Sequence, residues 1–132
     1  MPDAPRLVLT ILAVRDLARM RRFYLEALGW PVAVDVPSYV ELSLQDGPRL
    51  GLYDERAFAR NTGLTAGFRG SGSTTSHAEL YFHAEDLEGA TEKLLAAGGR
   101  LLSGPAPRDW GDEASYFSDP EGNVVVLARP RR

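Results

Sequence analysis

The sequence predicts an α+β fold in which two βαβββ modules form an open eight-stranded cup with the helices outside. Three observations carry that reading. Asp16-Leu17 is followed by Gly29, and Asp86-Leu87 by Gly99 at the same spacing. Each interval is preceded by one run rich in branched and aromatic residues and followed by two or three more, the pattern of strands flanking a helix. One such unit shields only one sheet face with its helix, so the other face needs a second unit, within the chain or across a dimer.

The elements follow in order. A strand at 7–14 leads to a helix whose apolar stripe is Leu17, Met20, Tyr24, Ala27 and Leu28. Asp16 sits at its N-cap, where a carboxylate accepts from free backbone N–H groups, and Gly29 at its stop. Neither helix start is a capping box, because Arg19 and Gly89 stand three residues on. Strands at 32–36, 39–44 and 49–53 follow, with turns at Pro37-Ser38 and Asp46-Gly47. Residues 55–76 carry Gly63, Gly67, Gly70, Gly72 and a Ser/Thr cluster, and read as a mobile linker or lid.

The second module repeats the plan. A strand at 78–84 precedes a helix capped by Asp86, with Leu87, Ala90, Leu94 and Ala97 on its stripe and Gly98-Gly99 at its end. Strands at 100–102, 114–118 and 123–128 follow, the last after the turn Asp119-Pro120-Glu121-Gly122-Asn123. The modules span about 6–54 and 77–129 within a single domain. Period-two counting puts Leu80, Phe82 and Ala84 on one strand face and Glu79, Tyr81 and His83 on the other. A face with a carboxylate, a phenol and an imidazole suits a cleft rather than a core.

Composition narrows the function. The 132 residues are ordinary globular material, 44% hydrophobic and 25% charged. A net charge of -3 and pI near 5.4 argue against nucleic acid, which calls for a clustered basic surplus. Arg15, Arg19, Arg21 and Arg22 are expected on a solvated helix face. With no cysteine, disulfides, thiolate metal sites and cysteine nucleophiles are excluded. No signal-type start and no apolar run near the ~20 residues of a membrane span are found, so the expected setting is cytoplasmic, with no membrane partner.

Three stretches carry a resemblance: "VRDLARMRRFYLEALGW" at 14–30, "ELYFHAEDLEGATEKLLAAGG" at 79–99 and "RDWGDEASYFSDPEGNVVVLARP" at 108–130. In this order they resemble the vicinal oxygen chelate superfamily of glyoxalase I, bleomycin-resistance proteins, fosfomycin-resistance enzymes and extradiol dioxygenases. The resemblance implies four metal-ligand positions, usually His or Gln, Glu, His and Glu. They fall here on Leu9, Gly51, Glu79 and Val126, of which only Glu79 has a donor. A shift of two residues would bring in His77 on the same face and leave the other three silent. A divalent metal needs several protein ligands, so neither metal nor cofactor is expected.

The remaining candidates describe a small-molecule cleft, apolar with a few convergent polar groups. Leu9, Ile11, Tyr53, Glu79, Tyr81, His83, Trp110 and Val126 are its expected lining, with Phe58 and Phe68 closing over it. Glu79 is either a general base, raised in pKa by burial beside Tyr81, or a carboxylate that recognises a cationic or hydroxylated ligand or pairs with an arginine. His83 and His77 are surface or hydrogen-bonded histidines, or part of a Glu–His pair. Two functions stay open. One is a metal-free protein of the bleomycin-resistance type, binding a small aromatic or cationic molecule. The other is a lyase, isomerase or dioxygenase, either metal-independent with Glu79 as base or using an atypical metal site. Exposed sheet edges and apolar inner positions such as Ile11 and Val126 further predict a homodimer.

Overall fold

A computed structural model describes residues 5–63 and 77–131. The elements are β1 (Thr10–Val14), α1 (Leu17–Leu28), β2 (Val32–Val36), β3 (Tyr39–Ser43), β4 (Arg49–Asp54), α2 (Glu55–Thr62), β5 (Glu79–His83), α3 (Leu87–Ala96), β6 (Arg100–Pro107), β7 (Asp112–Ser118) and β8 (Val124–Pro130). They build two four-stranded sheets, ordered β1-β4-β3-β2 and β5-β8-β7-β6. In each sheet the first strand runs parallel to the last and the other pairs are antiparallel. The βαβββ repeat and the α+β class are therefore those the sequence predicts. The chain divides into two compact units: one holds the first sheet and α2, the other the second sheet, α3 and the Arg22–Leu28 part of α1. Among the described residues no helix is long and apolar enough to cross a membrane.

The helix starts follow from their caps. The Arg19 and Gly89 backbone N–H groups donate to Asp16 Oδ1 and Asp86 Oδ1, each at 3.0 Å. Gly29, with φ 68°, supplies the left-handed residue that stops α1. The arginines of this region lie at the surface apart from half-buried Arg21, which pairs with Asp35 at 3.0 Å.

One segment departs from expectation. Residues 55–62 form a helix and not an irregular linker. Asp54 caps it by accepting from Ala57 N–H at 3.3 Å, and Gly63, with φ 78°, ends it. Ala57 and Ala59 are its buried residues. The glycines and serines further on dominate the composition of 55–76 and mask the capped stretch at its start. Residues 64–76, with Phe68, lie outside the described residues.

In the first unit Leu42, Leu50, Leu52, Val14 and Val40 are buried and share one face of the sheet. In the second, Val125, Leu127 and Phe117 form the equivalent face, with Leu87 and Leu94 buried on α3. The opposite faces carry Tyr39, Glu41, Gly51 and Tyr53 in the first unit and Glu79, Tyr81 and His83 in the second. Val126 corrects one expectation. It was expected as an exposed inner position, but it has no accessible surface and clusters with Ala114 and Ala128 against Tyr116 and Val124. Ile11 is 38% exposed, as expected.

Candidate functional site

The second unit gathers a polar network on its open face. The hairpin between β6 and β7 turns tightly: Gly111 N–H donates to Arg108 C=O at 3.1 Å and Arg108 N–H to Asp112 C=O at 2.8 Å. Gly111 takes φ 101°, a conformation that a side chain would strain. This turn presents Trp110, whose indole Nε1–H donates to Tyr81 Oη at 2.8 Å. Tyr81 Oη in turn donates to Asp112 Oδ2, and His83 Nε2 lies 3.2 Å from that same oxygen. Asp112 thus joins Tyr81 and His83 directly, and Trp110 through Tyr81. The sequence reading began this strand at 114 and so missed it. Its only sequence signal is an acidic residue just after a Trp-Gly turn.

The electrostatics follow from these contacts. The Tyr81 hydrogen bond, with a further one from His83, holds the Asp112 carboxyl below the usual carboxylate range. Desolvation and the bond to Asp112 push the Tyr81 phenol up. Beneath the network lie Ala114, Val126 and Ala128, a floor of small apolar side chains. Arg108 stands 4.9 Å over the Tyr116 ring, so that aromatic face already has its cation. Trp110 remains 56% exposed although its polar edge is fixed.

Glu79 lies on the same strand face as Tyr81 and His83 but outside their network. It is exposed in the chain. His77, just before the strand, is exposed as well.

The first unit has a different arrangement around one of the family's ligand positions. Gly51 pairs with Glu41 on one side and Ile11 on the other. A Cβ at Gly51 would overlap the Tyr39 hydroxyl and come within 2.7 and 2.9 Å of Tyr39 Cε1 and Cζ. Tyr39 donates to buried Glu41 at 2.7 Å, and Arg49 pairs with the other Glu41 oxygen at 3.3 Å. Burial, then the Glu41 bond, pushes the Tyr39 phenol up. Tyr53 packs edge-on against Tyr39 and Phe58, at 5.4 and 6.1 Å between ring centres. Leu9, half-buried, lies just before β1. Neither Tyr39 nor Glu41 was singled out from sequence, although a charge inside the apolar run 39–44 signals a buried pair.

A metal does not fit the family positions. Leu9 and Val126 carry no donor, and the space a side chain at Gly51 would need is filled by Tyr39. Glu41, the nearest carboxylate to Gly51 by strand pairing, has both oxygens taken by Tyr39 and Arg49. Among the described residues no three His, Cys, Asp or Glu side chains are grouped to hold an ion.

Comparison with known proteins agrees with the architecture. Residues 6–127 match the family model of the Glyoxalase/Bleomycin resistance protein/Dioxygenase superfamily. The uncharacterized protein YetH of Bacillus subtilis (strain 168) is 29% identical over 120 residues, covering 86% of this chain and 89% of its own. A glyoxalase-related enzyme from Fulvimarina pelagi shares the fold with a TM-score of 0.79 at 22% identity, over 96% of this chain and 88% of that one. A glyoxalase/bleomycin resistance protein/dioxygenase family enzyme from Burkholderia phytofirmans PsJN has the same TM-score at 20% identity, over 93% and 97%. Repeat, sheet topology and family model converge, and the chain belongs to the glyoxalase/bleomycin resistance protein/dioxygenase superfamily.

Proposed function

We propose that this chain is a metal-independent cytoplasmic protein that binds a small aromatic or cationic molecule, with the open face of its second sheet as the main contact surface. The observation that carries this reading is Trp110. An indole that is more than half exposed, yet tethered through its N–H to Tyr81, is a stacking surface held in place before any ligand arrives. Asp112 and Glu79 supply negative charge on the same unit, which favours a cationic ring over an anionic one.

A ligand screen followed by tryptophan fluorescence tests it. For an aromatic cation found this way, Trp110→Ala weakens binding by roughly tenfold or more, the loss of one stacking contact worth about 1–3 kcal/mol. Glu79→Gln keeps shape and removes charge, and it weakens the cation but not a neutral isostere. Unchanged affinity in both variants places the ligand elsewhere. The second reading is an enzyme with Glu79 as base, for which the support is an exposed carboxylate on that same face.

We further propose a homodimer. Val32, Val34 and Val36 are exposed along β2, an edge strand, and Leu101 and Leu102 along β6, another edge. Apolar edge strands call for a cover. Sedimentation at micromolar concentration is expected to give a dimer, and a monomer there contradicts the proposal.

A further inference from the structure

His83 is held in a way that binding a ligand does not require. Its Nε2 lies 3.2 Å from Asp112 Oδ2, an oxygen that also accepts from Tyr81. An ionised carboxylate only accepts, so the proton of that contact sits on His83 Nε2. A neutral imidazole carrying its proton on Nε2 leaves Nδ1 as a free lone pair. The His83 side chain is 57% exposed, and that nitrogen has no partner among the described residues. The other groups around it are Tyr81, with ring centres 5.9 Å apart, and Glu85, Glu113, Arg129 and Arg131, which line a groove with His83. Arg129 is already paired with Glu113 and Glu88.

We propose that His83 is a metal-independent general base, oriented by Asp112 as its positioning residue, for aromatic molecules that carry an acidified C–H bond. The inference deepens the binding reading, since it uses the Trp110 surface of the same face to seat the ring. A carboxylate that fixes one imidazole nitrogen and frees the other is a general device for setting tautomer and direction. The step is a proton transfer and needs no co-reactant. The C–H bond breaks, its proton goes to His83 Nδ1, and the electron pair stays with the ligand until it is reprotonated or expels a leaving group.

The probe is 5-nitrobenzisoxazole, a flat aromatic whose ring opens once a base takes its C–H proton. The C–H electrons form the nitrile, the N–O bond breaks, and a coloured phenolate is released. The wild-type protein is expected to open it with saturation and with kcat/KM well above that of free imidazole. His83→Ala lowers kcat/KM by roughly 100-fold, the lower end of general-base effects. His77→Ala, which removes the only other histidine, leaves it unchanged. Asp112→Asn lowers kcat and removes the preference of His83 for the Nε2–H tautomer, a change that a merely structural role would not produce. Nitrogen-15 NMR of the two histidines is expected to show His83 as the Nε2–H tautomer, and an Nδ1–H tautomer overturns the proposal. So does retained activity in a folded His83→Ala protein. Activity lost in Glu79→Gln but kept in His83→Ala assigns the base to Glu79 and leaves the binding reading standing. Saturable binding of the probe with no turnover also overturns the base while keeping the binding site.

Discussion

Asp119→Ala lowers the stability of the second unit by about 3–5 kcal/mol in a denaturant titration, the cost of breaking a buried charged network. The carboxylate is 3% exposed and fully engaged. Its Oδ1 accepts from Glu121 and Asn123 backbone N–H groups, both at 2.9 Å. Its Oδ2 accepts from Asn123 Nδ2 at 2.8 Å and from Tyr24 Oη at 2.6 Å. Alanine leaves all these donors without their acceptor inside the protein, where each unmet group costs about 1–3 kcal/mol. Tyr24→Phe removes one donor and costs less, about 1–2 kcal/mol.

Tyr24 also gives the pair a pH signature. Burial first, and then the charge and hydrogen bond of Asp119, hold its phenol well above the ordinary range. Unfolded tyrosine ionises near ~10, so above that pH the folded state keeps a proton that the unfolded state has lost. The stabilisation is therefore complete below about pH 10 and falls away as pH rises. Tyr24→Phe flattens that decline above about pH 10. A variant that loses stability as steeply as wild type over this range argues against the pair as its source.

Gly51→Glu is the second large effect, an expected loss of roughly 2–4 kcal/mol from overpacking and like-charge contact. The new side chain clashes at its first carbon with the hydroxyl end of the Tyr39 ring, displaces that hydroxyl from Glu41, and sets a second carboxylate beside a buried one. Gly51→Ala isolates the packing part and costs about 1–2 kcal/mol. Removing the obstruction in a Tyr39→Ala background reduces the penalty of Gly51→Ala to a few tenths of a kcal/mol, the non-additivity expected of touching residues. Additive losses in that double variant would mean that Tyr39 is not what fills the position.

These two networks mark where sequence reading succeeds and stops. The repeat, the caps at Asp16 and Asp86 and the strand faces were legible, because each is written in local spacing. Helix α2 was legible in principle from Asp54 and Gly63 but was hidden by the composition of the stretch after it. Tyr24 read as one member of an apolar stripe and Asp119 as the start of a turn, yet 95 residues apart they share one hydrogen bond. Nothing in local periodicity announces such a pair. The same holds for Asp112, which lies 31 residues from Tyr81 and 29 from His83. Strand parity put Tyr81 and His83 on one face, as the sheet has them, and the Trp-Gly turn drew attention to Trp110; the carboxylate that joins Tyr81 to His83 was not legible.

The proposed metal independence rests on the donor chemistry at Leu9, Gly51 and Val126 and on the Tyr39 ring against Gly51. Elemental analysis of the purified protein after dialysis against zinc, nickel, manganese and iron(II) salts, then metal-free buffer, tests it most directly. The expected result is metal far below one ion per chain and a melting temperature unmoved by EDTA, because no binding energy is linked to folding. One retained divalent ion per chain, with a drop of several degrees on chelation, would contradict it.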